Sequence, residues 1–286
     1  MTESDEVMTI AQSLWRMMAL IRAVEERIGE LVSAGMIKTP CHLSIGQEAV
    51  PAGVCAVLKL EDSVWGGHRS HGHYLAKGGD LRAMMAEIFG KATGCARGRG
   101  GSMHLVDPSH GIFGTVPLVG ATIPLAVGAA LSAKLRGTEQ VAVAFFGDGA
   151  TDEGHFHESL NLAALSRLPV LFVCENNLYS THLTLKERRV KDNIVESAAL
   201  HGLPGMVVDG NNVTEVYQAA HQAVQRARVG EGPTLLECRT YRWRGHVGPA
   251  ADLEVGTDRR RELDEWQRRD PIAQCRGLLK AHGLSS

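Results

Sequence analysis

No apolar run in this chain of 286 residues approaches the ~20 residues that span a bilayer, so no membrane-spanning helix is expected. Residues 1–6 are acidic and hold neither a basic n-region nor an apolar h-region. No leader is therefore expected, and a reducing cytoplasm is the expected compartment. An excess of one charge is also missing. Lys and Arg number 30 against 32 Asp and Glu, for a net charge of −2 and a pI near 6.7. That argues against bulk electrostatic binding of nucleic acid. The clusters Arg188-Arg189 and Arg259-Arg260-Arg261 sit among acids and read as solvated faces, with docking of an acidic partner as their other use. The six cysteines, Cys41, Cys55, Cys95, Cys174, Cys238 and Cys275, form no Cys-x-x-Cys and have no zinc spacing with histidine. There is no internal repeat and no low-complexity segment.

What is present is strand–helix alternation. The length suits one domain with a full core. It divides into an N-terminal helical region over 1–60, an α/β core over 61–245, and a mobile loop with a C-terminal helix over 246–286. Apolar residues at helical spacing from Ile10 to Leu31 mark one long helix ending near Gly35, lying against the sheet or another subunit. Residues 63–72 are polar and rich in histidine and read as a loop. Residues 90–120 read as a long glycine-rich loop, and such loops inside compact domains are usually functional. Strands are expected at 141–146, 170–174, 206–208 and 234–238, with helices near 81–89, 121–135, 155–167, 194–201, 213–229 and 271–282. Such alternation predicts an α/β fold, a mostly parallel sheet flanked by helices on both faces.

Residues 147–179 are the most informative stretch. The run 141–146 ends in Gly147-Asp148-Gly149, and the run 170–174 leads into Asn176-Asn177. Phe156, Leu160, Leu162, Ala163 and Leu165 recur between them at helical spacing. Polar oxygens therefore stand at the carboxyl ends of two strands, where ligands bind in open α/β sheets. Asp148 offers a carboxylate oxygen and Asn177 an amide oxygen, which suit Mg²⁺. Gly147 and Gly149 permit close backbone approach, and helix N–H groups just after Gly149 favour an anion. A diphosphate held through a divalent metal is the predicted ligand; two solvated strand-end turns would show the same residues.

The Gly-Asp-Gly followed by Asn-Asn resembles the thiamine diphosphate motif. The longer text is similar to the alpha subunit of the thiamine-dependent first component of 2-oxo acid dehydrogenase complexes, the family of pyruvate, branched-chain 2-oxo acid and acetoin dehydrogenases. Further motifs carry the likeness: His42-Leu43-Ser44-Ile45-Gly46-Gln47-Glu48, His68-Arg69-Ser70-His71-Gly72, Gly98-Arg99-Gly100-Gly101-Ser102-Met103-His104 and Tyr241-Arg242-Trp243-Arg244-Gly245-His246. The resemblance spans about 14–272 and implies the thiamine diphosphate-binding fold. It implies Mg²⁺ on the side chains of Asp148 and Asn177 and the backbone carbonyl of Tyr179. Gly149 and Ala150 would contact the diphosphate through backbone, and Arg69 would face it. His246 would sit over the thiazolium, His42 would touch the 2-oxo acid, and His71 would lie near the entrance. The Val119 carbonyl would accept from the aminopyrimidine. His104, His155 and His157 are read as structural.

The resemblance also implies a beta subunit in an alpha2beta2 heterotetramer, because no glutamate here stands out for activating the aminopyrimidine ring nitrogen. A lipoyl acyltransferase component would receive the acyl group. Departures are His68, where the family commonly has tyrosine on a phosphate, and Pro117, often glycine beside the aminopyrimidine. Val247 stands where mitochondrial relatives carry regulatory serines and cannot be phosphorylated. Two other readings compete: acyl or ketol transfer to a carrier protein or aldehyde, and a non-catalytic scaffold for a beta-like partner.

Overall fold

The computed structural model describes residues 3–256 and 258–284, with side chains from residue 9 onward. Its strands are β1 (Ser63–Gly66), β2 (Ile112–Thr115), β3 (Ala142–Gly147), β4 (Val170–Asn176), a short antiparallel pair β5 (Tyr179–Ser180) and β6 (Leu183–Thr184), β7 (Gly205–Asp209) and β8 (Thr234–Arg239). Six of them form one sheet in the order β2-β1-β3-β4-β8-β7. Every pairing in it is parallel, as the alternation predicted. The helices are α1 (Glu3–Ser33), α2 (Ala49–Cys55), α3 (His71–Ala76), α4 (Leu81–Ile88), α5 (Thr122–Leu135), α6 (Gly154–Leu165), α7 (Leu185–Arg188), α8 (Glu196–Leu200), α9 (Val213–Arg228), α10 (Arg260–Gln267) and α11 (Pro271–Ala281). Among the described residues, no helix is long and apolar enough to cross a membrane.

Strand side chains alternate between faces, and both faces here are apolar. Ala142, Ala144, Phe146, Val170, Phe172 and Cys174 pack with Ile123, Ala126 and Ala130 of α5 and Phe156 and Leu160 of α6. Val143, Phe145, Leu171 and Val173 pack on the opposite face with Val50 and Val54 of α2 and Val216, Ala220 and Val224 of α9. All seven residues of β4 are buried, as expected of an interior parallel strand.

Four expectations need correction. Residues 63–72 are not one loop, because β1 and α3 occupy most of them; the long glycine-rich segment likewise contains β2. Both strands have only four residues, too few to show a period. They form because β1 is held between β2 and β3. The α1 helix packs on other helices rather than on the sheet. Ala11, Leu14 and Met18 meet Ile272, Cys275 and Leu279 of α11, while Ile21, Ile28 and Leu31 meet Leu43, Tyr74 and Ile88. Finally, no α-helix starts just after Gly149: a 3-10 turn spans Asp148–Asp152 and α6 starts at Gly154.

Ahead of β2, the stretch over 96–101 lies outside the sheet, and four of its amides find their acceptor in one buried carboxylate. Glu87 Oε2 accepts from the amides of Ala96 and Gly98 at 2.8 and 2.7 Å, and Oε1 from those of Gly100 and Gly101 at 2.7 and 3.0 Å. Burial opposes ionisation, but the four amides outweigh it and hold the Glu87 carboxyl below its ordinary pKa. The linked stability is fully present above the unfolded value of about 4.3 and is lost as pH falls through the lower folded value. Glu87→Gln keeps one acceptor oxygen and turns an NH₂ toward amide donors. It is expected to cost roughly 2–3 kcal/mol at pH 7. Urea unfolding of both proteins should show that gap constant down to about pH 5 and narrowing below it; a gap independent of pH would contradict the anionic anchor.

Candidate active site

One cavity of about 210 Å³ lies off the carboxyl ends of β1, β3 and β4. The chain leaves β1 toward β2 on one side and β3 toward β4 on the other, so the crevice stands at the point where strand order reverses. His42, His68, Arg69, Pro117, Val119, Asp148, Gly149, Ala150, Asn177, Tyr179 and His246 all line it. Residues up to 204 positions apart (246 minus 42) are thus gathered at one place.

Asp148 is 1% exposed. Burial pushes its pKa up, and Arg188 pulls it back in part. Arg188 of α7 ion-pairs with Asp148 Oδ2 and also with Asp152. Arg189 Nε donates to Asp152 Oδ1 at 3.0 Å, and its Nη2 to the Thr151 carbonyl at 2.9 Å. Two arginines thereby tie the turn after β3 to the segment after β4. The second carboxylate oxygen, Asp148 Oδ1, is buried with no hydrogen-bond partner. An anionic oxygen in that state is costly, and a cation in the cavity would relieve it.

Asn177 is held by its own side chain, whose Nδ2 donates to Gln47 Oε1 at 3.0 Å and whose Oδ1 accepts from the Tyr179 amide at 3.3 Å. Leu178 between them sits at φ +70°, a left-handed turn costing about 1–2 kcal/mol for a branched side chain. Asn176 points elsewhere, donating to Glu237 Oε1 at 2.8 Å. The two glycines have different reasons to be glycine. A Cβ on Gly147 would meet nothing within 4 Å, whereas one on Gly149 would stand 2.5 Å from Ser180 Oγ. Gly149 is required by the packing of one turn on the other, as well as by its place on the cavity wall.

Positive charge is concentrated here. Arg69 Nη1 donates to the Leu43 carbonyl at 2.5 Å and Nη2 to the His246 carbonyl at 3.2 Å. Arg242, only 1% exposed, donates to the carbonyls of Arg244 and Thr181. These described bonds all go to neutral acceptors. Burial lowers Arg69 to about 10 and Arg242 to about 9. An anionic ligand would be drawn to such a pair.

Three imidazoles meet at the cavity. The ring centroids of His42 and His68 are 4.5 Å apart, those of His42 and His246 are 5.0 Å apart, and those of His68 and His246 are 5.4 Å apart. Burial first, then His68 for His42 and Arg69 for the other two, lowers them to about 2, 3 and 4 for His42, His68 and His246. All three are neutral at pH 7. The segment around His246 is fixed by Asp252, whose Oδ2 accepts from the His246 amide at 2.9 Å.

His71, expected near the entrance, does not line the cavity. It is fully buried, with Nδ1 at 2.8 Å from Glu25 Oε2 and Nε2 at 2.7 Å from Ser102 Oγ. It joins α1 to the glycine-rich loop. Sequence reasoning also missed residues that matter here: Gln47, His73 and Glu175 on the wall, with His73 Nε2 at 3.1 Å from Glu175 Oε2, and Arg188 and Arg242 behind it. Arg242 lay inside a motif already noticed. The reading of the two arginine clusters as solvated faces needs correction: Arg188 is paired with buried Asp148, 40 positions away in sequence, and Arg259 is 3% exposed, donating to the Tyr241 hydroxyl and the Arg242 carbonyl.

The donor set fits a pyrophosphate carried with a divalent cation: an open carboxylate oxygen, a positioned amide, two cationic guanidiniums and an open glycine wall. The family description "Dehydrogenase E1 component" matches residues 16–286. The alpha subunit of acetoin:2,6-dichlorophenolindophenol oxidoreductase of Bacillus subtilis (strain 168) is 47% identical over 261 residues, 90% of this chain and 78% of that protein. The pyruvate dehydrogenase E1 component subunit alpha of Zymomonas mobilis is 42% identical over 271 residues, 94% of this chain and 76% of that protein. The chloroplastic pyruvate dehydrogenase E1 component subunit alpha-3 of Arabidopsis thaliana is 43% identical over 278 residues, 95% of this chain and 64% of that protein. With its whole α/β core inside the matched span, the chain belongs to the dehydrogenase E1 component family.

Proposed function

We propose that this chain is the alpha subunit of a thiamine diphosphate-dependent 2-oxo acid or acetoin dehydrogenase. A beta subunit completes its site in an alpha2beta2 heterotetramer, and a lipoyl acyltransferase component takes the acyl group. The observation that carries the reading is the convergence of Asp148, Asn177 and Arg69 on one cavity at the strand-order reversal. Asp148 and Asn177 by their side-chain oxygens and Tyr179 by its backbone carbonyl would hold Mg²⁺. The coenzyme, when bound, supplies the carbanion that attacks a keto group and the electron sink after CO₂ leaves.

The chain's own residues do the rest. Arg69 on the cavity wall, with the buried charge of Arg242 behind it, would offset the charge of the diphosphate. His42 keeps Nδ1 buried and free of partners, available to a substrate oxygen. His246, neutral and half-buried, can accept or return a proton as the acyl group leaves. An unpaired acid is the missing part: of the wall's two carboxylates, Asp148 is ion-paired with Arg188 and Glu175 Oε2 lies 3.1 Å from His73 Nε2. The activating glutamate is therefore assigned to the beta subunit. Leu118 and Val119 support that assignment, being 71% and 46% exposed beside the cavity; apolar surface of this kind asks for a partner. Six free cysteines suit a reducing cytoplasm.

Two outcomes follow. Purified alone, the chain should decarboxylate at under about 1% of the rate of the alpha–beta complex, since general acid–base catalysis alone contributes about 10²–10⁴-fold; robust turnover without a second polypeptide would refute the division of labour. In the complex, Asp148→Ala should weaken calorimetric uptake of thiamine diphosphate with Mg²⁺ by at least about 100-fold, the loss of a metal ligand exceeding the 10–100-fold cost of losing an outer partner. Unchanged uptake would reject the metal assignment.

A further inference from the structure

The three imidazoles at the cavity mouth form a second, chemically different cluster. His42 precedes α2, His68 follows β1 and His246 follows β8, so the fold rather than a local motif brings them together. One ligand nitrogen from each lies within 4.8 Å of the others. The His42 side chain is 6% exposed and its Nδ1 is buried with no hydrogen-bond partner, on the wall of the cavity. A buried ring nitrogen without a partner, on a residue that lines a cavity, calls for an explanation, and a bound cation would supply one.

We propose that His42, His68 and His246 bind a divalent transition metal of the zinc, cobalt or nickel class, at a site separate from the oxygen donors Asp148 and Asn177. Zinc–imidazole bonds of about 2.0–2.1 Å in a tetrahedral shell place ligand nitrogens about 3.4 Å apart. Spacings within 4.8 Å therefore close by ring rotations that move each nitrogen about 1 Å. Cation sorting follows from ligand type. Imidazole nitrogens suit zinc, nickel and copper, while carboxylate and amide oxygens suit Mg²⁺. The rings need not shed protons at neutral pH, because burial already keeps them neutral.

Arg69 and Arg242 oppose a doubly charged ion here. They set the fourth ligand: an anionic oxygen, either hydroxide or the carboxylate of a 2-oxo acid. A bound ion would occupy His42 and His246 together, so the site is inhibitory and a chelator reverses it. Metal binding stands independently of the coenzyme reading, and only the inhibition rests on it.

The probe is Co²⁺, added to the untagged alpha–beta complex in excess Mg²⁺ without coenzyme. One Co²⁺ per alpha chain is expected, with the intense visible band of a four-coordinate nitrogen-rich ion, displaced by Zn²⁺. His68→Tyr, which installs the residue common in the family, should weaken binding by at least about 100-fold, and Asp148→Ala should leave the band unchanged. Absence of the band, its persistence in His68→Tyr, or its loss in Asp148→Ala would each overturn the proposal. If the band behaves as expected while thiamine diphosphate fails to bind the complex, the coenzyme reading falls and the metal site stands.

Discussion

Keeping Asp148 ionised out of water is the constraint on which the site depends. A carboxylate that is 1% exposed survives only with charge and hydrogen bonds aimed at it. The sheet supplies the position: β3 ends at Gly147, and the next residue is Asp148. Arg188 supplies the charge on one oxygen. The Asp148 carbonyl accepts from Thr151 Oγ1 at 2.7 Å, and Thr151 Oγ1 in turn accepts from Arg189 at 2.6 Å. The two arginine contacts link the turn after β3 to the segment after β4, and the Thr151 bond tightens that turn internally. The approach of Gly149 to Ser180 and the left-handed Leu178 belong to the same junction. A change at this junction therefore displaces both oxygen donors at once.

Behind the cavity, the fold repeats one solution to a general difficulty. Loops that shape a site have backbone groups with no ladder to pair in. Here buried glutamates provide the acceptors. Glu25 takes the Ser44 amide and hydroxyl at 2.8 and 2.7 Å and meets His71. Glu48 takes the Gly46 amide at 2.9 Å while paired with Arg22. Glu87 takes four amides of the glycine-rich loop, and Glu237 takes the Val195 amide at 3.0 Å. These carboxylates do not touch the cavity, yet they set where His42, Ser102 and Asn176 stand. Burial raises Glu48, whose arginine partner only partly offsets it, whereas Glu25 is lowered because His71 and Ser44 outweigh burial.

The division between what could be read in the sequence and what could not follows the range of the interactions. Strands β3, β4 and β8 were legible because each is an apolar run bounded by turn residues, and buried parallel strands need no more than that; β7 is an edge strand with only Val208 buried, and its short Met206–Val208 run sufficed. Asp148 and Asn177 were legible because strand ends are predictable places. The strands β1 and β2 were not, because four residues carry no period and their stability comes from neighbours. His71 had the composition of a site residue and the location of a strut. Glu87 and Arg188 are ordinary charged helix residues until the partners are seen. Arg242 shows the intermediate case: its motif was visible, but its 1% exposure, which makes the charge consequential, was not.

Electrostatics also argue for where one subunit's work stops. On this chain the cavity wall carries Arg69, with Arg242 behind it, both bonded to neutral carbonyls, three neutral imidazoles, Asp148 paired with Arg188, and Glu175, whose Oε2 lies 3.1 Å from His73 Nε2. Such a surface suits the polyanionic end of a coenzyme and the carboxylate of an acid substrate. It does not suit a ring nitrogen that must gain a proton, which needs an unmatched acid close by. Placing that acid on this chain would set it beside Arg69 and Arg242, where ion pairing would hold it as a carboxylate and withhold its proton. Separating the anion-binding half from the proton-donating half removes that conflict. The exposed Leu118 and Val119 at the cavity rim mark the edge along which a second subunit could bring a carboxyl group in from the other side.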